Sequence, residues 1–140
     1  MATTAVHGRN TVVKVDDSGG TLRDISNQVR NCSFQRNANE IDVTAFQDTG
    51  RVYLADFPDA TFNFEGNAAA TVMGYLHGIV GQEATVSVEY GPEGSASGKR
   101  KFTFEGVLTS LTESGASVGQ ANQFQAALRV SGGITLGTYA

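Results

Sequence analysis

The stretch that decides the fold is "NEIDVTAFQDTGRVYLADFPDATFNFEG", from Asn39 to Gly66. Its two ends alternate apolar and polar residues with a period of two, which is typical of half-buried β-strands. The alternating apolar residues are Ile41 and Val43 at one end and Phe62 and Phe64 at the other. Between them, residues 46–59 mix turn residues with isolated apolar side chains. The pattern predicts two strands joined by a long loop, and loops above about 12 residues are usually functional or interfacial.

Further segments of the chain also predict strands, because they are bounded by turn residues and show the same alternation. They are NTVVKVDD (10–17), TLRDISNQV (21–29), RNCSFQRNANEIDVTAF (30–46), EATVSVEYG (83–91), KRKFTFEGVLTSLTES (99–114) and NQFQAALRVSGG (122–133). Gly106 predicts a β-bulge within one of them. Each strand has one apolar face, so the pattern predicts a mainly β fold with a sheet packed on one side.

One helix is predicted over NAAATVMGYLHGIVG, residues 67–81. Asn67 is the expected N-cap, and Gly81 suits a left-handed residue after the C-terminus. The 140 residues predict a single domain over 1–140. We expect a mobile N-terminal arm over about residues 1–9, a long inter-strand loop over about 46–59 and a short C-terminal arm over about 133–140.

Composition excludes several classes of protein. The chain has 14 acidic and 10 basic residues, and its densest basic run, Lys99 to Lys101, is too short for a nucleic-acid-binding stripe. No apolar run reaches the roughly 18 residues of a membrane span, and the N-terminus lacks the pattern of a secretory signal. Cys32 is the single cysteine. It excludes an internal disulfide, fits a reducing cytoplasm and is expected to be a small core residue.

No segment has the spacing of a catalytic or metal site, and no cofactor is predicted. The loop GPEGSASGKR (91–100) places Glu93 where a phosphate-binding loop requires glycine, and Arg100 where it requires Ser or Thr. His7 and His77 are far apart in sequence, so they form no zinc motif with the single cysteine. A Ser-His-Asp triad assembled in space stays open, although no G-x-S-x-G motif occurs.

The opening stretch holds six acidic residues, which raises the question of a carboxylate site. They are Glu40, Asp42, Asp48, Asp56, Asp59 and Glu65. Their spacing fits no calcium-binding loop. Asp in sequences such as "QDTG" and "ADFPD" commonly accepts hydrogen bonds from neighbouring backbone amides. We therefore interpret the acids as turn and intersubunit residues, with Arg51 as a charge partner across an interface.

Several segments together resemble the major tail tube proteins of long-tailed (siphovirus-type) bacteriophages, particularly those of actinobacterial hosts. The segments are DISNQV (24–29), NEIDVTAFQDTG (39–50), LADFPDATFNFEGN (54–67), YGPEGSASGKRKFTFEGVLTSLTES (90–114) and VSGGITLGT (130–138). The resemblance covers the chain from about residue 8 to residue 138. It is a pattern of strands and turns and includes no catalytic signature.

The resemblance implies a tail-tube fold of two packed antiparallel sheets, sandwich-like or barrel-like, with one flanking α-helix. It implies stacked rings, typically hexameric, that form the conduit for DNA delivery. The implied partners are other copies of the chain, a tape measure protein and a tail terminator, while DNA passes through without sequence-specific binding. The implied location is the virion tail, assembled in the bacterial host cytoplasm and without a membrane.

Two sets of residues are the candidate functional sites. The inter-subunit loop comprises Phe46, Asp48, Arg51, Val52, Tyr53, Leu54 and Phe57, and we expect it and both arms to become ordered on a neighbouring subunit. The candidate lumen face comprises Thr85, Ser87, Glu89, Thr103, Glu105 and Gln125, which are small, neutral or acidic and would not hold DNA phosphates. Arg129 departs from this pattern unless an acid such as Glu89 or Glu105 neutralises it.

Three alternatives remain at this point. The chain could be another ring protein of a phage-like machine, either a tail terminator or a tube subunit of a contractile or secretion system. A carbohydrate-binding or carbohydrate-acting β-sandwich is a third alternative from a different class. It would need an aromatic platform on an exposed face, whereas the chain has no Trp and most Phe residues fall on core-like faces.

Overall fold

The computed structural model describes residues 8–115 and 118–140. This part of the chain is mainly β with one α-helix, which confirms the predicted class. The elements are a 3-10 turn (Gly8–Asn10), β1 (Val12–Asp16), β2 (Leu22–Asp24), β3 (Val29–Asp42), β4 (Tyr53–Asn67), α1 (Ala70–Ile79), β5 (Val86–Gly91), β6 (Arg100–Ser114) and β7 (Gln123–Thr138).

The strands form one antiparallel sheet in the order β2-β1-β5-β6-β7-β4-β3. The expectation of two separate sheets is therefore wrong. The reason lies in β6 and β7, which stay paired along their whole length, from Arg100 opposite Thr138 to Ser114 opposite Gln123. This long pair joins the two halves of the structure into one sheet. Register shifts at two points of this ladder mark bulges, and bulges let long strands bend while they stay paired.

The sheet curls so that its two halves pack on each other. The Phe34 ring of β3 lies 5.2 Å from the rings of Phe102 and Phe104 on β6, measured between centroids. It also lies 6.4 Å from Tyr90 on β5, although three strands separate β3 from β5 in the sheet. One hydrogen-bonded sheet thus encloses its own apolar core, which is sandwich-like in packing.

Helix α1 packs on the core face through four buried side chains, Val72, Met73, Leu76 and Ile79. The predicted N-cap is wrong, because Asn67 is the last residue of β4 and its amide donates to the Gln28 carbonyl. The N-cap position is Ala69, which makes no side-chain capping bond. Gly81 has φ of 72°, so the predicted left-handed glycine after the helix is confirmed.

Two predicted boundaries differ from the structure. Residues 53–59, assigned above to the inter-strand loop 46–59, belong to β4, where Asp59 pairs with Asn37 and Tyr53 with Asp42. The predicted C-terminal arm 133–140 is largely strand, because β7 continues to Thr138 and pairs with β6. Within the predicted N-terminal arm 1–9, residues 1–7 lie outside the described part of the chain.

Gly106 does not lie at a bulge, contrary to the prediction. It pairs regularly with Val86 and Val130. The register shifts of the β6–β7 ladder lie between Phe104 and Glu105 and between Leu108 and Ser110. The glycine is required by close packing. A Cβ at Gly106 would lie 2.2 Å from Cδ2 of Leu128 and 2.8 Å from the Arg129 carbonyl oxygen.

Substitution of Gly106 tests this packing. We expect Gly106→Ala to lower the free energy of unfolding by roughly 1–3 kcal/mol, the usual cost of overpacking a core. Gly74→Ala is the matched control, because Gly74 is an exposed helical residue with nothing within 4 Å of its Cβ position. It should raise stability by up to about 1 kcal/mol. Denaturant unfolding measures both, and equal effects would contradict the packing account.

Candidate functional site

The hairpin of β3 and β4 projects beyond the core. Its strands pair from Val29 opposite Gly66 to Asp42 opposite Tyr53, with one irregularity between Ala38 and Glu40. The end of the hairpin next to the core, its foot, holds the buried Phe62 and Phe64. Residues 45–59, which include the turn at the opposite end, or tip, are all exposed. At about 3.3 Å per strand residue, residues 53–59 carry the tip roughly 20 Å away from the core.

The tip of the hairpin is held by hydrogen bonds centred on Asp42. Its Oδ1 accepts from the Thr44 amide at 3.0 Å and from the Thr44 hydroxyl at 2.6 Å. The Thr44 oxygen accepts in turn from the Val52 amide at 2.9 Å. Arg51 donates to Oδ2 of Asp42 at 3.1 Å. The side chains of Asp42 and Thr44 thus continue the ladder where the strands end.

A tight turn follows inside this frame. Oδ2 of Asp48 accepts from the Ala45 amide at 2.7 Å, and the Asp48 amide donates back to the Ala45 carbonyl at 3.1 Å. Phe46 lies between these two residues and is fully exposed. These contacts hold the turn within one chain, and the expected ordering of the hairpin on a neighbouring subunit stays a prediction.

Large apolar side chains are concentrated on this exposed hairpin. Those with at least two-fifths of their surface exposed are Ile41, Val43, Phe46, Val52, Tyr53, Leu54 and Phe57. Phe46 is fully exposed and Phe57 is 90% exposed. Exposed apolar side chains concentrated in one segment often mark an interaction site. The predicted loop residues Phe46, Val52, Tyr53, Leu54 and Phe57 all fall within this set.

Five of the six acids of the opening stretch, all but Glu40, have hydrogen-bond partners in the described part of the chain. Asp56 and Asp59 accept from the amides of Phe57 and Ala60, the residues that follow them. Glu65 accepts from the side-chain amides of Asn31 and Gln125. Across residues 8–115 and 118–140, no three His, Cys, Asp or Glu side chains are grouped to hold a metal ion.

The candidate lumen residues lie on the polar side of the curled sheet. Ser87 is paired with Glu105 across β5 and β6, and its hydroxyl donates to the Glu105 carboxylate at 2.6 Å. Glu89 is paired with Thr103 in the same ladder. Gln125 lies on β7 and reaches Glu65 of β4. Thr85 is exposed and precedes β5, so five of the six residues are in the sheet.

Basic side chains on this polar side are paired with acids. Glu89 lies 3.4 Å from the Nζ atoms of both Lys14 and Lys101. Arg129 forms an ion pair with Asp59 of β4. The neutralising acid is therefore Asp59, and neither Glu89 nor Glu105 as expected from sequence, because β7 and β4 are neighbours and bring the two residues together.

The polar face is concave near the foot of the hairpin, where a cleft of about 370 Å³ opens between β3, β4, β7 and β6. Its polar lining consists of Asn31, Ser33, Asn63, Glu65, Ser110, Thr112 and Gln125. Amides and hydroxyls dominate this lining, and Glu65 is its one carboxylate. The cleft therefore has no positive charge to bind a phosphate backbone.

The remaining residues considered for catalysis or metal binding make contacts that are typical of structural residues. Glu93 and Arg100 form an ion pair across the predicted hairpin loop at 2.9 Å. His77 of α1 lies 3.1 Å from Glu113 of β6, at the surface. Cys32 is half-buried against the core, and burial raises the pKa of its thiol. The thiol is thus protonated at neutral pH and is a poor nucleophile.

Sequence reasoning missed the network at the hairpin tip. Its signal was present as "DVT" (42–44), because Asp commonly bonds a backbone amide two residues ahead. The Arg129–Asp59 pair had no local signal, since 70 residues separate the partners. In the described part of the chain, no helix is long and apolar enough to cross a membrane.

Solved structures share this fold over almost the whole chain. A protein of the tail of an empty gene transfer agent particle, refined with C6 symmetry, is 17% identical, with 96% of this chain and 100% of that chain covered and a TM-score of 0.78. The SPP1 tail tube is 8% identical, with 96% and 80% covered and a TM-score of 0.74. The tube-terminating cap of the anti-feeding prophage is 10% identical, with 99% and 94% covered and a TM-score of 0.72.

No protein-family model and no curated protein matches the chain by sequence. The chain nevertheless has the fold of tail tube proteins. The fold implied by the resemblance is therefore confirmed, apart from its expected division into two sheets.

Acidification tests the order of the hairpin tip. The Thr44 hydroxyl and amide, with Arg51, hold the pKa of the Asp42 carboxyl below its usual range. The stabilisation is thus present above the ordinary aspartate pKa of about 3.9 and is lost as pH falls through the lowered value. We expect hydrogen exchange to show a protected Val52 amide at pH 7 that loses protection in acid.

Two variants provide the controls for this measurement. Asp42→Asn should expose the Val52 amide at pH 7, because the charge that holds Thr44 and Arg51 is gone. Asp56→Asn should leave it protected, because within residues 8–115 and 118–140 the Asp56 side chain bonds only the adjacent Phe57 amide. A Val52 protection factor that stays the same from pH 7 down to pH values well below the ordinary aspartate pKa of about 3.9 would contradict the role of Asp42.

Proposed function

We propose that this chain is a non-catalytic structural subunit of a tail tube, in which copies associate into rings and the rings stack. The observation that carries the proposal is the ordered hairpin with its exposed apolar tip, in a fold shared with tail tube structures. Exposure of apolar surface to water is unfavourable in free energy, and binding of a second copy would remove that surface from water. The C6 symmetry of the gene transfer agent tail supports six subunits per ring.

The inter-subunit contact is the hairpin, through Phe46, Asp48, Arg51, Val52, Tyr53, Leu54 and Phe57. Aromatic and large aliphatic side chains supply most of the binding energy at protein interfaces. Arg51 is held by Asp42, so the charged residues of the tip are presented in a fixed geometry. Little conformational entropy is then lost when the tip is buried.

The polar side of the sheet is the proposed lumen, with Thr85, Ser87, Glu89, Thr103, Glu105 and Gln125 facing the DNA. Paired lysines and arginines bind phosphates weakly, and unpaired acids repel them, so DNA slides without sequence-specific contacts. Among the described side chains, Glu105 is hydrogen-bonded to the hydroxyl of Ser87 and forms no ion pair with a lysine or arginine. The pairing of Lys14, Lys101 and Arg129 with acids supports this assignment.

The remaining parts of the proposal follow from the tail-tube role. A tape measure protein would occupy the lumen during assembly, and a terminator would end the tube. The subunit would be made in the cytoplasm of the bacterial host and would become part of the virion tail. No membrane is involved in this assembly.

A second candidate is a terminator ring, which the likeness to the tube-terminating cap favours at a TM-score of 0.72. The two candidates differ in whether the contact between rings propagates. Negative-stain microscopy of the purified protein separates them, because a tube subunit forms long tubes and a terminator forms single rings. Protein that stays monomeric at high concentration would contradict both candidates.

Removal of the apolar tip tests the hairpin contact. Burial of each large apolar side chain contributes about 1.5–3 kcal/mol. The double substitution Phe46→Ser with Leu54→Ser should therefore raise the critical concentration for tube formation at least tenfold, as measured by sedimentation. Leu22→Ser is the control, because Leu22 is an exposed apolar residue on β2, away from the hairpin. Tubes that form equally well from all three proteins would rule the contact out.

A further inference from the structure

An apolar groove lies at the foot of the hairpin, where the core meets solvent. Its volume is about 360 Å³, and Phe57, Pro58, Ala60, Val130 and Ile134 supply apolar surface to it. The groove exists because β7 bulges between Ser131 and Ile134, where its residues 132 and 133 are glycines. A Cβ at either glycine would meet no atom within 4 Å, so the space beside them is open.

A cation stands at the edge of this groove. Arg36 lines it and is opposite Ala60 in the β3–β4 ladder. Among residues 8–115 and 118–140, no hydrogen bond, ion pair or ring contact involves the Arg36 side chain. The other basic side chains near the foot are different, since Arg129 is paired with Asp59. Asp59 also lines the groove, and its carboxylate is paired with Arg129. Arg36 is therefore the charged lining residue without a partner in the described part of the chain.

The hairpin tip has the complementary chemistry. Phe46 is a fully exposed phenyl ring, and the acidic residue nearest to it in sequence is Asp48, two residues later. The backbone bonds between Ala45 and Asp48 fix the position of both side chains. The tip cannot enter the groove of its own chain, because a rigid strand of roughly 20 Å separates them.

We infer that this groove receives the hairpin tip of a second copy of the chain, with Phe46 in the apolar cavity and Asp48 against Arg36. The inference rests on the proposed function and names the receiving site of the hairpin contact. Charge complementarity favours the tip over other apolar segments of the chain, because Asp48 can pair with Arg36, which has no partner among the described residues. Outside the hairpin, the exposed Val80, Val118 and Leu136 have no acid in the next two positions. The acid that follows Leu22 is Asp24, which is already hydrogen-bonded to Ser26.

The contact joins two different surfaces, so it is heterologous. Heterologous contacts repeat from copy to copy and give rings or open-ended stacks. The tip and the foot lie at opposite ends of the hairpin. A copy bound through its groove is therefore shifted along the hairpin axis relative to the copy that supplies the tip. The contact would therefore join successive rings of a tube.

Disulfide trapping tests the inference directly. In a Cys32→Ser background, Gln47→Cys places a thiol on the tip and Gly133→Cys places one in the groove. Disulfides need Cα atoms within about 7 Å, so mild oxidation of assembled protein should give a covalent ladder on non-reducing gels that reductant removes. The control pairs Gln47→Cys with Ser110→Cys, since Ser110 lies in the polar cleft on the other side of the sheet.

A ladder from the groove pair and none from the control supports the inference. Assembled tubes without a ladder, or with equal ladders from both pairs, would overturn it and leave the proposed function standing. Failure of the unmodified chain to assemble would count against the proposed function itself. Cross-links between the groove cysteine and a different protein, formed in place of cross-links between copies of this chain, would show that the groove binds another partner. That outcome would also overturn the inference.

A double-mutant cycle tests the charge pair independently. Arg36→Gln should raise the critical concentration for assembly several-fold in the native sequence, and by less than twofold when Asp48→Asn is also present. Asn keeps an oxygen that can accept from the Ala45 amide, so the turn is retained. Effects that simply add would show that Arg36 and Asp48 do not contact each other.

Discussion

The aromatic layer that joins the two halves of the sheet is the interaction on which the rest of the structure depends. Phe34 packs against Phe102 and Phe104 across the core, and Phe62 packs against Tyr90 with ring centroids 5.1 Å apart. Without these contacts a one-sided sheet of seven strands would leave its apolar face in water. Because the layer anchors the foot of β3 and β4, the outer part of the hairpin can project as a rigid arm.

The hydrogen bonds within that arm bear on the proposed assembly. A flexible loop would lose conformational entropy on binding, and an ordered tip loses little. The ordering is supplied by Asp42, Thr44 and Arg51 within one chain, so association can be driven by burial of apolar surface and by one charge pair. The same arrangement leaves apolar groups exposed in the free subunit, which is the condition under which a protein polymerises readily.

Much of the fold was predictable, because alternation along β3, β4, β5, β6 and β7 reports burial on one face. The single sheet was not, since strand order depends on pairings between distant segments. The strand character of residues 53–59 was hidden for a physical reason: this part of β4 covers no core, so no alternation is selected there. The N-cap prediction at Asn67 failed for a different reason. Asn is a common capping residue, but here it ends β4, and the helix begins after Ala69. The apolar set of the hairpin was recognised from sequence, whereas the groove and Arg36 needed the bulge of β7 to bring them together.

Cryo-electron microscopy of the assembled protein would test the central claim most directly, namely that the hairpin tip joins one ring to the next. The account predicts stacked rings in which the density of each tip ends in the groove at the foot of a hairpin in the adjacent ring. The polar side of the sheet would line the central channel. Tubes in which the tips point into solvent, or in which the basic edge of the groove faces empty space, would contradict the account.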